Sequence, residues 1–333
     1  MTTTTKQWVL ASRPVGLPTS DNFRLETAEL PSLIDGQVLV RNVVASVDPY
    51  MRGRMNDSDS YIPPFELDQP LQGGAVGEVV DSRSEKLPVG TMVQNFHGWE
   101  EFAVVNEAEA SIVDTQLAPA ETYLGALGMP GLTAYVGLTA VGEFREGDAV
   151  FVSGAAGAVG QMVGQLAKQF GASRVIGSAG SPEKVQHLLD LGFDAAFNYK
   201  DGDVQEQLRD AAPEGIDVYF DNVGGEHLEA AIANLNTFGR VSMCGAIAQY
   251  NSTEPTPAPR NLALAIGKCL TLRGFVVGQY AQLKDEFVQR VAPLIASGKV
   301  RADFTVREGF DTMPDAFLEL FSGGNRGKMV VKF

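Results

Sequence analysis

VFVSGAAGAVGQMVGQLAKQFG, residues 150–171 of a 333-residue chain, passes from a β-branched run through small residues into a helical pattern. Val150 to Val152 predict a buried strand. Val159, Met162, Val163, Leu166, Ala167 and Phe170 keep the i, i+3, i+4, i+7 spacing that packs one face of a helix. Between strand and helix lies Ala155-Ala156-Gly157-Ala158-Val159-Gly160, an A-x-G-x-x-G form of the dinucleotide fingerprint. In that reading Gly157 lets a pyrophosphate approach the backbone, Gly160 lets helix and strand pack closely, and the helix N-terminus supplies amide donors.

The next strand ends at VIGSAGSPEKV, residues 175–185, where an NAD-binding fold carries an acid for the ribose 2′-hydroxyl. Ser178 to Ser181 supply none. Instead Ser181 is placed to cap the following helix, with Pro182 and Lys184 in its first turn. A cation there opposes the helix dipole unless an anion binds beside it, and a 2′-phosphate is such an anion. The residues therefore favour NADP(H) over NAD(H).

Around this unit, strands and helices alternate from residue 148 to about 278: AVFVSG, RVIGSAG, AAFNY, IDVYFDNVGG and RVSMCG read as strands, with SPEKVQHLLDLG, a segment near 203–211 and EHLEAAIANLNTFG as helices. Such alternation implies right-handed βαβ units on a parallel, doubly wound sheet. Upstream, QWVLAS, FRLETAEL, QVLVRNVVASVD, GEVVD, TMVQNF and EEFAVV are short strand-like runs between Gly, Pro and Asp turns, as in a small barrel or sandwich. The texture changes near Pro119, after which PAETYLGALGMPGLTAYVGLTAVG has helical lengths broken by glycines and Pro130. The tail, ending GKMVVKF, returns to strands and most simply rejoins the first domain. The fold class is α/β, with a β-rich domain of residues 1–125 and 305–333 around a Rossmann-like insertion of residues 126–304.

The formal charge of −15 sets the average surface against polyanions, which argues against nucleic acid or an anionic membrane as the main partner. Hydrophobic residues at 44% and charged residues at 20% describe an ordinary globular chain, and no run approaches the roughly 18 apolar residues of a membrane span. Two cysteines, Cys244 and Cys269, are too few for a disulfide framework. A reducing cytoplasm is the expected location.

His97, His187 and His227 are scattered, and neither cysteine is spaced with them as a zinc donor set, so no metal site is expected. His187 and His227, on amphipathic helices, are expected at the surface or in packing, and His97 in the barrel. No G-x-S-x-G elbow or Walker sequence supports acyl transfer or nucleotide hydrolysis. What remains is hydride transfer without metal, in which the protein supplies orientation and stabilises a developing oxyanion. A phenol suits that task, and Tyr50 in SVDPYMRGRM and Tyr250 in CGAIAQYN lie beside turn residues.

These residues together resemble the zinc-independent medium-chain dehydrogenase/reductases, most closely the leukotriene B4 dehydrogenase/prostaglandin reductase and alkenal double-bond reductase branch that includes bacterial NADPH-dependent curcumin reductases. The resemblance runs through WVLASRPVGLPTSDNFRL, VDPYMRGRM, LGMPGLTAYVGL, AAGAVGQMVGQLAK, GSPEKV, LGFDAAFNY, DNVGG, CGAIAQYN and GNRGKMVVKF. It implies a GroES-like catalytic domain around a Rossmann domain, NADP(H) as cofactor, and a homodimer paired through the sheet edge, for which TLRGFVVG is the candidate strand. It also implies that Ala156, Gly157, Ala158 and Val159 face the pyrophosphate, Lys184 and Tyr199 the 2′-phosphate, and Asn222 the cofactor. Cys244, Gly245, Ala246, Ile247 and Tyr250, with the backbone of Phe275, Val276 and Val277, would border the nicotinamide half, Asn325 would close the site from the tail, and Thr133 would lie near the nicotinamide.

The implied reaction reduces the C=C bond of an α,β-unsaturated carbonyl compound: a 2-alkenal, an enone, or a curcumin-type or prostaglandin-like substrate. Tyr250 would steady the enolate and Tyr50 contact the substrate. Residues 58–74 and 251–269 are expected as substrate-facing loops. Two alternatives remain: an NADPH quinone oxidoreductase of the same fold, and a catalytically silent NADPH-binding sensor.

Overall fold

In the computed structural model, which describes residues 3–333, the chain forms two compact units: Met1–Gly125 with Phe304–Phe333, and Ala126–Asp303. The second carries a six-stranded, all-parallel sheet. Across it the strands run Ala195–Asn198, Arg174–Ala179, Ala149–Val152, Ile216–Asp221, Leu235–Met243 and Thr271–Gly274. The order reverses beside Ala149–Val152, and in doubly wound sheets ligands bind outside the carboxyl ends of the strands at such a switch point.

The quoted stretch forms the strand Ala149–Val152 and the helix Ala158–Gln169. Val150, Val152, Met162, Val163, Leu166 and Ala167 are buried in one cluster, each large side chain contributing roughly 1.5–3 kcal/mol. The loop between them depends on two glycines. Gly154 sits at φ +58°, and a Cβ on Gly160 would lie 2.5 Å from the Gly154 carbonyl oxygen and 2.6 Å from Ala155 Cα. Any side chain at 160 pushes the loop off the helix.

Two local expectations are corrected. The helix read through EHLEAAIANLNTFG ends at Asn234, and Leu235 opens a strand. Leu235 is buried and pairs with Ile216, while the Asn236 amide bonds Asp217 at 2.9 Å, so the sheet takes residues whose local pattern is helical. Pro130 does not break its segment either. It stands in the first turn of the helix Met129–Val136, where a missing N–H costs nothing.

In the first unit a seven-stranded mixed sheet runs Phe304–Glu308, Lys328–Lys332, Gln37–Ser46, Ala75–Ser82, Met92–Asn95 and Ser111–Ile112, with Phe102–Asn106 pairing back onto Gln37–Ser46. A two-stranded sheet joins Thr4–Leu10 to Phe23–Glu29. The tail strand Lys328–Lys332 pairs antiparallel with Gln37–Ser46, so the chain's end is built into its beginning. Phe23 stacks on Trp99 in the core of this unit, and Phe317 packs edge-on to both.

Candidate active and cofactor site

Three strand ends of the second unit gather the residues expected to meet a dinucleotide. At the end of Ile216–Asp221, the Asp221 carboxylate is almost fully buried, with 1% of its surface exposed. Its Oδ1 accepts from the Tyr219 hydroxyl at 2.6 Å, the Gly224 amide at 2.8 Å, the Val223 amide at 3.0 Å and the Ser153 hydroxyl at 3.3 Å. Burial pushes the Asp221 pKa up, and these four donors oppose the shift. The carboxylate thereby fixes the Asn222–Gly224 turn. Asn222 in turn donates its side-chain amide to the Ser153 carbonyl at 2.8 Å and its backbone N–H to Ser153 Oγ at 3.0 Å, which holds it against the loop after Val152.

The segment from Cys244 to Tyr250 lies across the same strand ends. The amides of Cys244 and Gly245 donate to the Asp221 carbonyl at 2.9 and 3.0 Å, and those of Ile247 and Ala248 to the carbonyls of Asn222 and Val223 at 3.3 and 3.2 Å. Tyr250 follows the short turn Ile247–Gln249 and folds back, its oxygen accepting the Ala246 amide at 3.3 Å. Burial first, then the Asp221 charge, pushes the Cys244 thiol up to about 12, which disfavours the thiolate.

The first-turn amides of the helix Ala158–Gln169 have no intrahelical acceptors. A Cβ on Gly157 would meet only the Gly154 carbonyl at 3.3 Å, so this residue faces open space before the amides. That bare approach fits a pyrophosphate. At the next strand end, Ser181 Oγ accepts from the Lys184 amide at 3.3 Å and Pro182 opens the helix Pro182–Asp190. Burial, then the neighbouring Lys200, lowers the Lys184 pKa. Tyr199 crosses close to Gly180, where a Cβ would stand 2.9 Å from the phenol oxygen, and Lys200 lies 5.8 Å over its ring. Lys184 and Lys200, close enough for each charge to be felt by the other, put positive charge beside this strand end on a chain of net charge −15.

Phe275 packs edge-on to Phe220 and Tyr280 at 6.3 Å in the adjacent strand layer. Thr133 is buried, and its hydroxyl donates to the Met129 carbonyl one turn back at 2.7 Å. Val276 and Val277 follow the edge strand Thr271–Gly274. In the first unit, Tyr50 begins the short helix Met51–Arg54; burial, then Asp48, pushes its phenol pKa up, which keeps it protonated. Asn325 lies just before the tail strand, its amide donating to the Gly327 carbonyl at 3.0 Å.

Two residues escaped the sequence reading, and His227, expected at the surface or in packing, is packed. Asp221 stood in the quoted DNVGG run but carried no pattern beyond its place at a strand end. Ser153, within the quoted loop, became visible only through its bonds to Asn222. His227 lies buried beneath Tyr199, ring edge to ring face at 5.3 Å, and burial pushes its pKa down to about 4. The other histidines are also packed: His97 Nδ1 bonds Glu100 at 3.0 Å, which with its charge raises the imidazole pKa, and His187 lies 3.2 Å from Asp303.

Residues 6–113 match a family described as the N-terminal domain of oxidoreductase, and residues 158–297 one described as zinc-binding dehydrogenase. The NADPH-dependent curcumin reductase of Escherichia coli is 38% identical over 98% of this chain and 96% of its own length. The NADP(+)-dependent 2-alkenal reductase of Nicotiana tabacum is 40% identical over 98% of this chain and 96% of its own. A solved structure of CurA in complex with NADPH from Vibrio vulnificus superimposes with a TM-score of 0.93 at 41% identity, covering 98% of both chains. The chain belongs to the medium-chain dehydrogenase/reductase family.

The zinc of the second family's description does not fit the residues present. Among the described residues no group of three or more His, Cys, Asp or Glu side chains could hold a metal ion, and the three histidines sit in separate packing sites.

Proposed function

We propose that this chain reduces the C=C bond of α,β-unsaturated carbonyl compounds with NADPH, residues 126–304 holding the cofactor and residues 1–125 with 305–333 forming the catalytic domain. The observation that carries the reading is the convergence of the bare loop at Gly154–Gly160, Asn222 and the Cys244–Tyr250 turn on the switch point of a parallel sheet. The curcumin reductase and 2-alkenal reductase relatives support the same chemistry. Bound NADPH would supply the hydride that the β-carbon accepts, and the α-carbon would then take a proton from water or a tyrosine.

The chain's residues do the rest. The amides from Ala156 to Val159 bind the pyrophosphate, Asn222 and the backbone from Cys244 to Ile247 orient the nicotinamide half, and Phe275 to Val277 and Asn325 border it. Tyr250 donates to the substrate's carbonyl oxygen as charge grows there, a donor whose worth is realised only in the transition state. Tyr50 contacts the substrate.

Lys184 and Tyr199 bind the 2′-phosphate. Lys184→Ala is expected to weaken NADPH binding about 10- to 100-fold, the loss of one charge-assisted bond, and to leave NADH binding unchanged. Titrating both cofactors by fluorescence checks this; equal losses for the two would show that Lys184 holds the fold and not the phosphate.

The test of the function is the rate of NADPH consumption at 340 nm with a 2-alkenal, a cyclic enone, curcumin and a simple quinone. Consumption with the enal or enone supports the proposal. Consumption with the quinone alone makes the chain a quinone oxidoreductase, and tight NADPH binding without any turnover makes it a sensor.

The proposal includes a homodimer. The strand Thr271–Gly274 ends the sheet, with Thr271, Arg273 and Gly274 exposed, and an open edge is a template for a second copy. A sedimentation mass of one chain would remove that part. A cytoplasmic location agrees with the two free thiols, Cys244 and Cys269, and with the finding that no helix among the described residues is long and apolar enough to cross a membrane; cell fractionation tests it.

A further inference from the structure

Tyr50 stands on a poor support. The helix Met51–Arg54 has four residues, far below the length at which a helix holds itself in water. Its direction must come from tertiary bonds, and three cations supply them. Arg52 donates to the Gly16 carbonyl at 2.8 Å and to Asn56 Oδ1 at 2.7 Å. Arg54, buried and stacked over Phe65, donates to the Pro63 carbonyl at 2.8 Å and to Gln72 Oε1 at 2.7 Å. These two hold the helix behind Tyr50.

The third reaches from the other end of the sequence. Lys328 opens the tail strand Lys328–Lys332, and its ammonium lies in the first unit's interior with 3% of its side chain exposed. It donates to the Val47 carbonyl at 2.7 Å and to Asp48 Oδ1 at 2.8 Å, while Ser46 Oγ donates to Asp48 Oδ2. The bonded groups belong to the two residues that precede Pro49 and Tyr50. Met51 then closes the turn, its amide donating to the Asp48 carbonyl at 3.1 Å.

A buried ion pair is a poor device for stability, because well-packed apolar side chains of the same volume often hold a fold as well or better. What apolar contacts cannot do is aim a carbonyl and a carboxylate at one point. The Lys328 ammonium does so, fixing the backbone that enters the Tyr50 turn.

We infer that Lys328, through Val47 and Asp48, is a positioning residue for Tyr50 in the reduction of unsaturated carbonyl compounds. The inference rests on the proposed function and on substrate contact by Tyr50. Lys328 touches neither substrate nor cofactor in this account. Its effect passes through the direction of one phenol, and misplacement of a reacting group by an ångström costs on the order of 100-fold in rate.

The experiment uses the full chain in five forms: unaltered, Lys328→Met, the charge-neutral double variant Asp48→Asn with Lys328→Met, Tyr50→Phe, and Tyr50→Phe with Lys328→Met. Turnover of a cyclic enone, NADPH affinity by fluorescence, and hydrogen exchange of the cofactor-free protein are read for each. Lys328→Met and the charge-neutral double variant are expected to lose about 10- to 100-fold in kcat, with NADPH affinity changed by less than about threefold. Amides of residues 50–54 should exchange about tenfold faster in both, while those of the strand Gln37–Ser46 do not.

In the Tyr50→Phe background, Lys328→Met should add no further loss, since the group it positions is already gone. Should Lys328→Met leave a bare buried carboxylate and fail to fold, the double variant decides. Full kcat in a folded variant, unchanged exchange at residues 50–54, or a full additional loss in the Tyr50→Phe background overturns the inference while leaving the proposed function standing. No enone turnover by the unaltered chain overturns both.

Discussion

Replacing Tyr250 by Phe is expected to lower kcat for enone reduction about 100- to 1000-fold and to leave NADPH affinity unchanged, because removing one oxyanion donor raises a barrier by about 2.7–4 kcal/mol. The ring stays and only the hydroxyl is lost, so packing of the Ile247–Gln249 turn is preserved. The hydroxyl's position favours a large effect. It is held over the 245–246 backbone by the Ala246 amide at 3.3 Å. A donor fixed beforehand needs no reorganisation as the carbonyl oxygen gains charge. Steady-state kinetics with a cyclic enone and a fluorescence titration with NADPH separate the outcomes. Unchanged kcat removes Tyr250 from the mechanism, and a parallel loss of NADPH affinity assigns the hydroxyl to holding the loop instead.

His227 makes the second large prediction, in stability against pH. Its folded pKa, pushed by burial to about 4, lies below the ordinary 6.5 of an exposed imidazole. The unfolded chain therefore takes up the proton first as pH falls. The contribution is complete above about pH 6.5 and is lost progressively between about 6.5 and 4, amounting to about 3 kcal/mol. His227→Gln removes this dependence. In chemical denaturation at a series of pH values, the stability difference between the unaltered chain and the variant should shift toward the variant by that amount on acidification. A difference that stays constant with pH would show that the imidazole is not sequestered from water. NMR gives a second reading, since the His227 ring signal should not titrate between pH 7.5 and 5.

Much of the second unit was legible because its signals are local. The helix Ala158–Gln169 announces itself by spacing, the Ser181 cap and Pro182 by adjacent residue types, and the parallel sheet by alternation. The reading slipped where local pattern and sheet pairing compete, at Leu235 to Gly239, whose helical texture the strand Leu235–Met243 overrides. The site followed the same division. The loop at Gly154–Gly160 could be placed on a strand end from its own residues, and the turn at Asn222 from the family resemblance. Asp221 could not be singled out, because its importance lies in four donors that converge only in the fold. His227 beneath Tyr199 and Lys328 against Asp48 are contacts between residues distant in sequence, and no periodicity encodes them.

Identification of the product tests the account most directly. A 2-alkenal incubated with the protein and NADPH, then resolved by gas chromatography and mass spectrometry, should give the saturated aldehyde with the carbonyl intact. An allylic alcohol, in which the C=O and not the C=C bond is reduced, would contradict the account.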